Sequence, residues 1–315
     1  MMPLELHTSD TTSDQGTILV LGATGQQGGA TAAALRRGGR SVRALVRNPA
    51  SDAAQRLAAS GVQLFRGDFA DTASIRAAME GVHGVFSVQA NSGAAGSGIT
   101  DEEEISYGKN IVDLAVQAGV RHLVYASASI ISAGPTGLAN LDTKLEIEAH
   151  VRQSDIASTI LRPASFMELL TLPGMGLDKD TLSFFQRPEQ SKQWIASEDI
   201  GKIAAAVLCK SERYAGQTFA IAGDQLTGLQ IQEVMTAAVG RPITYHRFPD
   251  TLLAQDEFLR RNAELFDRLG PGDADVPALQ LEFGGLMTLR SWLEGRGLHR
   301  LQSALTASQQ QVALR

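Results

Sequence analysis

Ile18-Leu19-Val20-Leu21-Gly22-Ala23-Thr24-Gly25-Gln26-Gln27-Gly28 is the stretch whose reading decides the fold class. Its four apolar residues predict a short buried strand, and the alanine-rich run over 27–37, closed by Gly38-Gly39, predicts a helix. In the turn between them, a glycine at 22 permits a tight bend and one at 25 admits a pyrophosphate close to the backbone. A third at 28 lets helix and strand pack closely. The helix N-terminus then offers free N–H groups and a positive dipole end to phosphates. The alternative is a glycine-rich turn that holds no ligand.

Outward from this turn the same unit repeats. Strands are predicted over 41–46, 62–65, 84–88 and 122–126, with helices over 51–59, 72–80 and 100–118 between them. Asp71 is placed to cap one helix, and Thr100 with Glu103 forms a capping box for another. A helix over 142–153 and a strand over 158–161 extend the series. Such alternation is the mark of right-handed βαβ crossovers, so the expected fold is α/β, a doubly wound parallel sheet of Rossmann type. Further on, a strand over 194–196, a helix over 199–209 and a strand over 218–222 are expected. Helices over 229–239, 252–269 and 288–294 follow, interrupted by Gly270-Pro271-Gly272. The expected organisation is a disordered leader (1–16) and a dinucleotide-binding domain (17–165, with 194–222 returning to it). A smaller, mostly helical substrate or partner domain (166–193 and 223–300) and a tail (301–315) complete it.

Composition narrows the function classes. Of 315 residues 43% are hydrophobic, ample for a core and against disorder. A net charge of -6 and the absence of a basic patch argue against a nucleic-acid partner. The single cysteine, Cys209, excludes an internal disulfide, and the six histidines show no metal-ligand spacing, so no metal is expected. The polar leader has no apolar signal core and no run reaches membrane-spanning length. The expectation is a cytoplasmic monomer or homodimer without membrane contact.

The stretch Ala44-Leu45-Val46-Arg47-Asn48 lacks the carboxylate that binds a ribose 2′-hydroxyl. Arg47 instead suits a 2′-phosphate, which would favour NADP(H) over NAD; its other reading is a solvated surface arginine. Asp68 and Phe69 either meet an adenine ring or serve as a helix cap and a core aromatic. The backbone of Val88-Gln89-Ala90 would line the path from ribose to nicotinamide. Ser127 and Ser129 follow the fifth strand, where serine is often only a turn residue. Lys144 either bonds the nicotinamide ribose and, with its pKa lowered by nearby positive charge, moves a proton, or forms a surface ion pair with Glu146 or Glu148. Phe166, Met167, Phe184, Phe185 and Trp194 either line an apolar cleft or pack in the core.

Together Gly22-Ala23-Thr24-Gly25-Gln26-Gln27-Gly28, Val46-Arg47-Asn48-Pro49, Gly67-Asp68, residues 119–125, Lys144-Leu145-Glu146-Ile147-Glu148, Thr159-Ile160-Leu161-Arg162-Pro163 and Asp199-Ile200-Gly201-Lys202 make the chain resemble a known group. That group is the NmrA-like atypical short-chain dehydrogenase/reductases, and the resemblance spans roughly residues 17–295. It implies that Gly22, Thr24, Gly25, Gln26, Gln27, Gly28 and Arg47 hold NADP(H). It also implies that Lys144, the candidate catalytic residue, and Ser165-Phe166-Met167-Glu168 lie beside the nicotinamide. One position departs from the wider superfamily: Asn140 stands where a proton-donating tyrosine precedes the lysine, and a neutral amide is no acid. The implied activity is NADPH-dependent reduction of a quinone-like or other small electrophile. The alternative is a non-catalytic sensor that reports the NADPH/NADP+ ratio to a partner protein.

Overall fold

The computed structural model describes residues 16–93 and 97–307; the predicted leader up to residue 15 and the tail from 308 lie outside them. The first half builds β1 (Ile18–Val20), α1 (Gln26–Arg37), β2 (Val42–Val46), α2 (Asp52–Ala59), β3 (Gln63–Arg66) and α3 (Thr72–Met79). It continues through β4 (Gly84–Ser87), α4 (Asp101–Gln117), β5 (His122–Ala126), α5 (Ala139–Gln153) and β6 (Ser158–Pro163). These six strands, all parallel, lie in the order β3-β2-β1-β4-β5-β6. The doubly wound sheet is therefore present, and its direction of winding reverses between β1 and β4. Open α/β sheets bind ligands at that crevice.

Local chemistry sets the element ends. The Thr100 hydroxyl accepts from Glu103 N at 3.1 Å while the Glu103 carboxylate accepts from Thr100 N at 2.8 Å, closing the predicted capping box. Asp71 caps α3, accepting from Ala73 N and Ser74 N. The inner strands β1, β4 and β5 are buried along their whole length because both sheet faces are covered by helices. Ile18, Val20, Ala44, Phe86 and Val124 pack on one side; Leu19, Leu21, Val85, Leu123 and Tyr125 pack on the other.

The second half is less regular. It contains β7 (Ser165–Phe166), β8 (Thr181–Phe184), β9 (Lys192–Ile195), α6 (Ser197–Cys209), α7 (Ser211–Tyr214), β10 (Thr218–Ile221) and β11 (Asp224–Leu226). Then come α8 (Gly228–Val239), β12 (Thr244–Arg247), α9 (Asp250–Gln255), α10 (Glu257–Arg268), α11 (Val276–Phe283), α12 (Leu289–Leu293) and α13 (Arg296–Thr306). β10 joins the main sheet beside β6, and α6 packs on α1. The strand expected over 194–196 does not join that sheet: β9 pairs with β7 and β11. The single helix expected over 252–269 is two, because the Asp256 side chain accepts from Leu259 N and starts α10 afresh. The parallel pair β8–β12 and helix α11 are additions to the sequence reading. Helices α6, α7 and α11 and strand β10 pack into the core of the main sheet. A separate core joins β8, β9, α8, β12, α9, α10, α12 and α13, and Met167, Phe184, Phe185 and Trp194 belong to it rather than to a cleft.

Candidate functional site

At the β1–β4 switch point lies a cavity of about 450 Å³. Its wall includes Gly22, Thr24, Gly25, Gln26, Gln27, Gly28, Arg47, Asp68, Phe69, Val88, Gln89, Ala90 and Phe166, so the structure brings these predicted positions together. Val46 and Gly67 of the quoted motifs line it too, and Leu45, Asn91, Ser97, Ile99 and Tyr107 complete the wall without having been proposed as site residues from the sequence. Tyr107 sits within α4, and only the packing of α4 brings it within 6.3 Å of the Phe69 ring. No local signal marks it.

The glycine turn is sterically obligatory. Gly22 has φ +64°, and a Cβ there would lie 2.7 Å from Val88 Cγ1. A Cβ on Gly28 would lie 2.3 Å from the Gly22 carbonyl oxygen, so only glycine lets α1 approach the turn. No side chain caps α1 and its first turn holds no acid. Its N–H groups and dipole end are thus left to whatever the cavity holds. Gln27 Oε1 is buried without a hydrogen-bond partner, and the Arg47 guanidinium, exposed on the wall, has no protein partner among the described residues. A phosphate-bearing dinucleotide fits this donor set: amide N–H groups and a guanidinium, with no carboxylate at the end of β2.

Asp68 and Phe69 are both on the wall. Asp71, not Asp68, caps α3; the Asp68 carboxylate accepts from Ala70 N at 2.9 Å in a tight turn. Phe69 lines the cavity and also packs against the core beneath α3 and α4.

The predicted nicotinamide end is divided. Phe166 faces the large cavity, whereas Ser165, its neighbour in β7, faces a second, smaller one. Met167 and Glu168 line neither cavity. The Met167 side chain is wholly buried in the second core, and the Glu168 carboxylate accepts from Ser197 N at 3.0 Å and Ser197 Oγ at 2.5 Å, holding the start of α6.

Lys144 is also absent from the cavity wall. Its expected partners are engaged elsewhere: Glu146 pairs with Lys109 at 3.0 Å, and Glu148 lies in its own network. Lys144 is buried, and its ammonium donates to Glu104 of α4, to the Asn140 carbonyl at 3.2 Å and to Thr143 Oγ1 at 3.2 Å. The expectation of a nearby cation is thus corrected, since the neighbouring charge is a carboxylate. Glu104 also accepts from Ser92 N at 2.9 Å, joining Lys144 to the segment that follows β4.

Glu148, fully buried, accepts from Ser127 Oγ (2.6 Å), Arg152 (2.6 Å) and Arg162 (2.8 and 2.6 Å). Burial pushes its carboxyl up, but these donors and the charge of Arg162 hold it below the usual carboxylate value. Ser127 is therefore a structural hydroxyl, whereas Ser129 lines the smaller cavity. Asp199 behaves oppositely: burial pushes it up to about 6, with Met287 N donating to it at 2.6 Å.

The chain belongs to the NmrA-like family, which it matches over residues 14–273. It is similar to the NAD(P)H azoreductase of Xenophilus azovorans, 29% identical over 230 residues, which are 72% of this chain and 76% of that protein. It is also similar to quinone oxidoreductase 2 of Escherichia coli (strain K12), 28% identical over 238 residues, 74% of this chain and 78% of that one. In fold it is similar to NmrA, a negative transcriptional regulator solved in complex with NADP. That likeness has a TM-score of 0.77 at 21% identity and covers 92% of this chain and 98% of the other. Among the described residues no helix is long and apolar enough to cross a membrane.

Proposed function

We propose that the protein is an NADPH-dependent reductase of quinone-like or similarly electrophilic small molecules. The observation that carries the cofactor half is the cavity at the switch point, with an uncapped α1 N-terminus, an unpartnered Gln27 Oε1 and an unpaired Arg47 on one wall. The glycine turn and α1 would hold the pyrophosphate, Arg47 the 2′-phosphate, and Asp68 with Phe69 and Tyr107 the adenine. When bound, the reduced nicotinamide supplies a hydride. The names of the two reductase relatives support the oxidoreductase half.

The choice of acceptor follows from Asn140 and Lys144. Asn140 is no acid, and Lys144 is held by Glu104. Carbonyl reduction to an alcohol needs a proton donor at the nascent alkoxide. A quinone does not, because the hydroquinone anion is stabilised by its own ring and takes its proton from water.

The same lack of an acid favours a second reading, a sensor of the NADPH/NADP+ ratio acting on a partner protein, and the likeness to a transcriptional regulator adds to it. The test is loss of NADPH absorbance with a panel of quinones, run beside direct measurement of NADPH binding. Turnover establishes the reductase. Tight binding with no turnover on any acceptor sinks it in favour of the sensor.

A further inference from the structure

Lys144 and Glu104 meet because α4 and α5 pack closely. Gly108, one turn on from Glu104, has no room for a side chain: a Cβ there would lie 2.6 Å from Ile147 Cδ1, one turn on from Lys144. The two charges therefore face each other in the interior, with Lys144 8% and Glu104 2% exposed. Burying such a pair costs desolvation that mutual attraction alone does not always offset. Its use lies in a third partner.

An ammonium has three protons to donate. Those of Lys144 go to Glu104, the Asn140 carbonyl and Thr143 Oγ1, so none is left for a ribose hydroxyl. Glu104 divides its two oxygens: Oε1 takes Lys144, and Oε2 takes the backbone N–H of Ser92 at 2.9 Å. The Ser92 hydroxyl donates to Asp101, at the start of the same helix. Ser92 is thus held to α4 at two atoms. On the other side of this turn Gly93 lies against Asn140, where a Cβ on Gly93 would come within 2.4 Å of Nδ2 and 2.8 Å of Cγ. Asn140 fills the space beside the turn, and a tyrosine in its place would push the turn away.

The held turn continues directly into the switch-point cavity. Val88, Gln89, Ala90 and Asn91, which immediately precede Ser92, all line its wall. Past the end of β4 at Ser87 this stretch has no regular structure of its own. Its course is therefore fixed at one end by the sheet and at the other by Ser92.

We infer that Lys144 and Glu104 are positioning residues for the dinucleotide. The carboxylate, oriented by the ammonium, fixes the Ser92 N–H and through it the wall from Val88 to Asn91 against the ribose and nicotinamide end. The opposite end, at Arg47, Asp68 and Phe69, is built where β2 and β3 finish and does not depend on Ser92. The inference rests on the dinucleotide reading of the cavity and is independent of whether the chain turns over a substrate. It also accounts for a charge at residue 104. A carboxamide offers one acceptor oxygen, whereas a carboxylate serves the lysine and the backbone at once.

The test uses the full chain and two probes, NADPH and 2′,5′-ADP, the second of which has the adenine half but no nicotinamide. Both affinities are read by calorimetry. Glu104→Leu with Lys144→Met removes both charges, so neither is left buried alone and the fold is kept. It also removes the acceptor for Ser92, and should weaken NADPH about tenfold while leaving 2′,5′-ADP within about twofold of wild type. Glu104→Gln with Lys144→Met returns an acceptor oxygen to Ser92 without the charges, and should bring NADPH back to within about threefold. Asn140→Tyr, which displaces the turn from its other side and touches neither charge, should give the same split between the probes. Unchanged NADPH affinity in the first variant, or no recovery in the second, would overturn the inference. So would a loss of both probes together, the result of a general displacement of α4. Wild type that bound neither probe would overturn the dinucleotide reading itself, and this inference with it.

Discussion

Arg47 and Lys144 are the two cations that the sequence singles out, and the regions around them treat polar groups in opposite ways. At the rim above β1–β4, Arg47 has no protein partner, α1 has no side-chain cap and Gln27 Oε1 has no donor. Behind α5, Lys144 is paired with Glu104, and Glu148 accepts from a serine and two arginines. An unsatisfied buried group costs about 1–3 kcal/mol, and Gln27 Oε1 is such an atom at this rim, whereas Arg47 and the start of α1 are exposed and open to a ligand. A satisfied buried pair contributes to the scaffold and is costly to break. The lesson is that the state of a charge, not its type, separates site from scaffold.

The largest expected effect breaks the satisfied region. Lys144→Met leaves Glu104 buried without its counter-ion and should lose about 3–5 kcal/mol of stability in urea unfolding. A loss under 1 kcal/mol would mean that the pair is not buried as described. Asp199 sharpens the same side through pH. Its folded pKa, about 6, lies above the ordinary 3.8, so its contribution is fully present below the ordinary value and lost as pH rises through about 6. Asp199→Asn, which keeps an acceptor for Met287 N, should therefore gain on wild type as pH rises from about 3.8 to about 6 and hold that gain above it, by about 3 kcal/mol at most. Parallel stability–pH curves for the two proteins would refute it.

The rim should respond in the reverse sense. Arg47→Ala should weaken NADPH binding about tenfold or more while sparing NADH, and should change stability by less than about 0.5 kcal/mol. Equal losses for both cofactors would remove Arg47 from the 2′-phosphate. The smallest effect is expected at Thr100→Ala, which opens the capping box of α4 and should cost about 1 kcal/mol. Thermal unfolding would read it, with NADPH affinity as a control that stays level.

Legibility followed sequence locality. The run from Ile18 to Gly28 carries strand, turn and helix within a few residues, and the alternation after it specifies the parallel sheet. Caps at Asp71 and Thr100 were readable because a side chain three residues from its partner suffices. By contrast, β8 and β12 are four-residue strands that pair across about sixty residues of chain; β8 alternates (Thr-Leu-Ser-Phe) over too short a run to mark a strand, and β12 (Thr-Tyr-His-Arg) does not alternate cleanly. The break at Asp256 looked like one surface position in a long helix until its side chain was seen to cap Leu259 N.

By itself, then, the sequence determined the fold class, the glycine turn and the absence of a tyrosine at Asn140, because each depends on residue type or short-range spacing. Only the tertiary structure decided which charges are free. Glu104 lies 40 residues before Lys144, and Lys192 lies more than 70 residues before the carbonyls it holds. No spacing rule relates such partners, since they meet only through the packing of α4 on α5 and of β9 beneath α10. Hydrogen bonding and desolvation act over a few ångströms of space, and the chain distance between the groups does not enter.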